Sequence, residues 1–252
     1  EFTARTTDAA GNESVLSETL AVTLDVTAPG APVISGFSDD TGTEGDGITA
    51  DTTLTLTGTA EAGATVTIFD GATELGTASA DQNGDWNFTT PVLGEGAHSL
   101  TASASDAAGN EGASSAALSV TVDTLSPAAP VITGYSDDTG IENDGTTSDT
   151  TLTLTGTADA GATVRVFDGA TLLGTVAADG NGDWSFGTGT LAEGDHDFAA
   201  IALDAAENAS ANSNKLSVTV DTTAPGIAIT TPIAGDGIVS SLEDSVLFVS
   251  GT

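Results

Sequence analysis

Leu54 and Leu56, then Val66 and Ile68, stand two apart with threonine between them, and the same alternation of apolar with polar positions returns at intervals of about ten residues. A period of two sends successive side chains to opposite faces, so each run reads as a strand with one face buried. In the first full stretch the pattern predicts strands A at 32–37, B at 52–59, C at 65–69, D at 74–79, E at 86–89, F at 98–105 and G at 116–122. Glycine with aspartate or asparagine separates the runs, which is the chemistry of tight turns. No segment carries apolar residues at helical spacing.

The pattern is periodic on a longer scale. Asp25, Asp123 and Asp221 close three versions of one phrase (VTLDVTAP, VTVDTLSP, VTVDTTAP) and lie 98 residues apart. Trp86 and Trp184, His98 and His196, and the loops 8–12, 106–110 and 204–208 (DAAGN, DAAGN, DAAEN) keep the same offset. A period this long describes whole small domains in tandem, not the turns of a solenoid. Seven short antiparallel strands per period predict an all-β chain of immunoglobulin-like sandwiches in an elongated array. Residues 1–25 match the last quarter of a repeat, 26–123 and 124–221 are complete copies, and 222–252 begin a further, divergent one. The chain is therefore expected to be a window of a longer array, whose partial units are ordered only against a complete neighbour.

Charge changes the picture. Three Lys and Arg stand against 37 Asp and Glu, a formal net charge of −34, and residues 26–123 contain no basic residue. Such a surface repels a phosphate backbone and an anionic membrane, so neither nucleic acid nor direct membrane contact is expected. With no cysteine, disulfides and thiolate metal sites are excluded, and a small domain must rely on its apolar core or a hard cation.

Up-and-down strands put loops B–C, D–E and F–G at one end of each domain and A–B, C–D and E–F at the other, so acidic ends meet at each joint. Between the complete copies the lower side supplies Asp39, Asp40, Glu44, Asp46, Asp51, Asp70 and Asp123. The upper side supplies Asp159, Asp204 and the Asn208 amide, with Asp179 and Asp183 behind. Two carboxylates 4 Å apart repel by about 4 kcal/mol at an effective dielectric near 20, a repulsion that a bound cation reverses. Calcium suits this all-oxygen donor set, whereas zinc and copper favour imidazole or thiolate. Prolines at 127 and 130 stiffen the linker.

Other features read more plainly. The 81–85 and 179–183 segments, DQNGD and DGNGD, are Asn-Gly hairpin turns; an EF-hand would need a glutamate where Val92 and Thr190 stand. Trp86 and Trp184 are expected as core anchors, His98 and His196 as hydrogen-bonding groups. Arg165 and Lys215 break the repeat, with surface pairing the expected use. No nucleophile motif or phosphate loop is present, so no enzyme activity is expected.

The phrases SDDTGTEGDGITADTTLTLTGTAEAGATVTIFDG and TASASDAAGN, with counterparts in the second copy, resemble the bacterial Ig-like extender repeats of giant, biofilm-associated, type I-secreted adhesins of Gram-negative bacteria. The resemblance implies an extracellular, cell-surface rod, a monomeric array in which each repeat's partners are its neighbours and calcium ions at the joints. Carried over by motif, it implies calcium ligands at Asp39, Asp40, Asp46, Asp51 and Asp123 and again at Asp137, Asp138, Asp144, Asp149 and Asp221, with Asp106 and Asp204 as facing residues. Asp25 and Asp168, the counterparts of Asp123 and Asp70, complete the set. Two alternatives remain open: a binding module that contacts a glycan or host protein through its loops, and an accessory domain of a secreted enzyme.

Overall fold

Each apolar run becomes a strand. The computed structural model describes residues 1–136 and 138–226; Asp137 and the divergent segment from 227 to 252 lie outside the described residues. The first complete domain contains β1 (Val33–Ser38), β2 (Ile48–Thr49), β3 (Thr55–Thr59), β4 (Thr65–Asp70), β5 (Thr73–Ser79), β6 (Asp85–Thr89), β7 (Gly96–Ser105) and β8 (Leu118–Val122). They form two sheets, in the orders β1-β3-β6 and β2-β8-β7-β4-β5. The second domain repeats this with β9 (Val131–Ser136), β10 (Thr146–Thr147), β11 (Thr153–Thr157), β12 (Thr163–Asp168), β13 (Thr171–Ala177), β14 (Asp183–Gly187), β15 (Gly194–Leu203) and β16 (Leu216–Val220), in the orders β9-β11-β14 and β10-β16-β15-β12-β13.

The expected seven antiparallel strands are present, and the structure adds an eighth. Ile48 and Thr49 pair in parallel with Thr121 and Val122 of β8, as Thr146 and Thr147 do with β16. The A–B connection thus crosses from one sheet to the edge of the other. Thr49 pins the crossing: it is fully buried, and its Oγ1 donates to the Asp39 carbonyl at 2.6 Å.

Alternation decides what is inside. Leu54, Leu56, Val66, Ile68, Leu100 and Val120 meet between the sheets of the first domain, and Leu152, Leu154, Val164, Val166, Phe198 and Val218 between those of the second. Trp86 and Trp184 are buried in these cores as the sequence predicts. Their rings need a glycine opposite: a Cβ on Gly58 would stand 2.4 Å from the Trp86 ring, and one on Gly156 2.3 Å from that of Trp184. Residues 1–25 form an open antiparallel hairpin through the bridges Phe2↔Leu20 and Thr7↔Glu13, with Phe2, Leu16, Leu20 and Leu24 exposed.

Candidate functional site

The joint between the complete domains runs from Asp123 to Ala128. As β8 ends, the Asp123 N–H donates to the Thr49 carbonyl at 2.8 Å, so the crossing strand sets where the linker leaves. Glu95 then grips the next residue: its Oε2 accepts the Thr124 N–H at 3.0 Å and the Thr124 hydroxyl at 2.8 Å. From the second domain, Asn208 Nδ2 donates to the Asp123 carbonyl at 2.7 Å and Asp159 Oδ2 accepts the Ala128 N–H at 2.9 Å.

The F–G loop is shaped for this reach. Asp204 Oδ1 accepts the Asn208 N–H at 2.9 Å while Oδ2 accepts its side-chain amide at 3.0 Å, fixing the amide that holds the linker. Loop 106–110 is built alike, and Asn110 reaches the Asp25 carbonyl at 3.2 Å. Hydrogen bonds from the Asn110 side chain and N–H hold the Asp106 carboxyl below its ordinary pKa. Gly11 and Gly109 supply a left-handed residue at the bend; in the third loop Glu207 takes that conformation at φ +65°.

Most of the candidate carboxylates cap their own turns. Asp40 Oδ2 accepts the Gly45 N–H at 2.6 Å, Asp46 that of Ile48 at 2.8 Å and Asp51 that of Thr53 at 2.8 Å. In the second copy Asp138 accepts from Asn143, Asp144 from Thr146 and Asp149 from Thr151. Asp25, Asp123 and Asp221 accept the N–H of Thr27, Leu125 and Thr223. Asp39 stands at φ +70° and accepts the Ser38 hydroxyl. Asp81 and Asp179 close plain turns, each taking the N–H groups two and four residues on.

Asp70 and Asp168 are engaged within their own domains. His98 Nδ1 lies 2.7 Å from Asp70 Oδ2 and its Nε2 lies 2.9 Å from the Gly94 carbonyl; His196 repeats this with Asp168 and the Ala192 carbonyl. A ring facing acceptors at both nitrogens is fully satisfied only as imidazolium. Burial alone would lower the His98 pKa, but the hydrogen bonds to Asp70 and Gly94, with the Asp70 charge, raise it above the ordinary 6.5. Burial would likewise raise Asp70, yet hydrogen bonds from His98 and the Ser99 N–H hold it below 3.8. The imidazolium contribution is complete below 6.5 and is lost as pH rises through the raised folded value; that of Asp70 is present above 3.8 and fades as pH falls through the depressed one. Melting temperature should therefore decline on the alkaline side, and the His98→Gln/His196→Gln double variant should lose that slope. An unaltered alkaline slope in the double variant would refute the assignment.

Asp123, Asp159 and Asp204 line one cleft at the joint, and Asp39, Asp40, Glu44 and Asp46 line another under the A–B loop. Among the described residues no three His, Cys, Asp or Glu side chains gather closely enough to hold a metal ion between them. The donor chemistry nonetheless suits a hard cation: Asp40 Oδ1 is buried with no protein donor, whereas its counterpart Asp138 lies beside the Tyr135 hydroxyl. Of the residues that break the repeat, Lys215 pairs with Asp197 at 2.6 Å, while Arg165 lines a cleft at the joint beside Thr43, Asp204 and Glu207. Sequence reasoning missed Glu95 and its counterpart Glu193, which accepts from Thr222 and Thr223, and also Thr41 and Gly42; their recurrence at the 98-residue offset was the available signal.

Comparison with known proteins gives one family. The profile of the bacterial Ig-like domain matches residues 28–124 and 126–222. Exoglucanase B of Cellulomonas fimi is 34% identical over 220 residues, covering 81% of this chain; the chain spans 18% of that protein's length. Among solved structures, the fibronectin(III)-like modules of Clostridium thermocellum CbhA align with a TM-score of 0.46 at 18% identity, over 73% of this chain and 93% of theirs. A 1.5-MDa bacterial ice-binding adhesin gives 0.39 at 23% identity, over 86% and 71% of the two chains, and the BSP domain of a biofilm associated protein 0.28 at 22%, over 78% and 30%. These structural likenesses concern the fold.

Proposed function

Because the chain belongs to the bacterial Ig-like domain family, we propose that it is a non-catalytic extender segment of a large extracellular adhesin on the bacterial surface, a rod that supports cell adhesion or biofilm formation. One observation carries this reading: the joint recurs. Asn110 holds the Asp25 carbonyl and Asn208 the Asp123 carbonyl across the same interval of 85 residues, as expected of a chain that joins domain to domain by one rule. Calcium belongs to the proposal as the cation that offsets repulsion among the joint's carboxylates. Asp123, Asp159 and Asp204 line the joint cleft and would have to draw together around the ion, and Asp40 would offer its unpartnered oxygen in the A–B loop.

Small-angle scattering tests both parts. In about 1 mM calcium, where extracellular modules bind, a single extended shape is expected, and chelation should widen the range of interdomain angles without unfolding the domains. Identical scattering in the two conditions would remove calcium from the reading, and a compact particle in both would remove the extender. The Cellulomonas fimi relative favours a second reading, an accessory domain in a secreted enzyme that acts on polysaccharide. Activity of a parent enzyme that falls when this segment is deleted would favour it.

A further inference from the structure

One contact across the joint needs neither charge nor metal. Thr41 and Gly42, in the A–B loop of the first domain, meet the backbone of Ala205 and Ala206 at the tip of the second domain's F–G loop. Thr41 Oγ1 donates to the Ala206 carbonyl at 2.7 Å and accepts the Ala50 N–H at 2.8 Å, so the hydroxyl is used in both directions. Gly42 lies at φ +79°, and a Cβ there would stand 2.0 Å from the Ala205 carbonyl oxygen. Only glycine lets that carbonyl approach. Within the F–G loop Asp204 takes two N–H groups, that of Asn208 at Oδ1 and that of Glu207 at its carbonyl, and the Ala205 and Ala206 carbonyls are turned toward Gly42 and Thr41.

We propose that Thr41 and Gly42 form a docking surface for the 204–208 loop, a metal-independent latch that sets the orientation of one domain on the next, and that the kind of partner it fits is a loop of D-A-A-x-N form. Recognition runs through backbone carbonyls and tolerates only small side chains at the tip, which the alanines of all three such loops satisfy. In the second copy, nothing among the described residues stands against the equivalent surface. Gly140 has φ +88° with no atom within 4 Å of its Cβ position, and Thr139 Oγ1 already accepts the Ser148 N–H at 2.7 Å, as Thr41 does from Ala50. This inference goes beyond the calcium reading, since the latch acts when no cation is bound.

The chain has no cysteine, so nitroxide labels can be placed at the exposed, equivalent positions Glu74→Cys and Leu172→Cys and the interdomain distance measured by pulsed electron resonance in chelator. One dominant distance is expected for the parent protein. Gly42→Ala should broaden the distribution about twofold, toward the freedom expected of domains without a fixed interface. Gly140→Ala puts alanine into the same left-handed backbone without the collision, and should leave the distribution narrow while perturbing its own loop as much. A parent distribution in chelator as broad as that of Gly42→Ala, or a Gly42→Ala distribution as narrow as the parent's, overturns the latch. Narrowing that appears only on adding calcium also overturns it and leaves the calcium reading standing; a narrow distribution unchanged by calcium supports the latch and counts against calcium.

Discussion

Trp184→Ala is expected to destabilise the second domain by about 3–5 kcal/mol while the first domain's transition stays in place. The indole lies in a cluster with Leu154, Val164, Val166 and Val218, and Gly156 is its floor. Gly156 carries no side chain to swing into the space, and a Cβ there would stand 2.2 Å from the Val131 carbonyl oxygen, so that wall of the cavity cannot refill it. Scanning calorimetry should separate the two transitions, and Trp86→Ala should move the other one. Trp184→Phe makes a sharper test. The Trp184 Nε1 is buried without a protein acceptor, so phenylalanine loses ring volume but also removes an N–H whose burial costs about 1–3 kcal/mol. The phenylalanine variant should therefore retain most of the stability that alanine loses. Equal losses would mean that the indole nitrogen is satisfied after all.

Calcium is expected to raise the melting temperature with a dependence set by mass action. At a hundredfold excess over its dissociation constant, one site that exists only in the folded joint adds about 2.7 kcal/mol. Magnesium should substitute poorly, since it demands octahedral geometry and dehydrates reluctantly. Asp159→Asn is the informative variant at the joint. It keeps an oxygen to accept the Ala128 N–H but removes one charge from the cleft shared with Asp123 and Asp204. A calcium-dependent shift reduced in this variant, with the metal-free melting temperature little changed, is the expected pattern. A melting temperature insensitive to calcium from about 0.1 to 10 mM, a span that brackets ordinary extracellular sites, would end the proposal.

The strands were legible because side-chain alternation writes them directly: Leu56 and Leu154 are inward in the structure for the reason they are apolar in the sequence. β2 was not, since Ile48 and Thr49 are too few to alternate, and their pairing with β8 depends on a hydroxyl reaching the Asp39 carbonyl across the loop. The acids were legible as recurring positions but not in their partners. Asp46, Asp51 and Asp149 each take an N–H two residues on, and a carboxylate placed beside Gly or Thr for that purpose looks the same in sequence as one placed for a cation. Asp123, Asp159 and Asp204 line one cleft at the joint, but the contact at the A–B loop beside it is of another kind. What meets the A–B loop is a pair of carbonyls, at Ala205 and Ala206, and the acids around them are largely turned back into their own loops.

The grip of Glu95 on Thr124, repeated by Glu193 on Thr222, ties the direction in which each linker departs to the domain behind it, while Asn208 ties it to the domain ahead. A tether anchored on both sides carries pulling force through hydrogen bonds loaded together, so the connecting peptide is the last part of such a chain to be left bearing tension by itself.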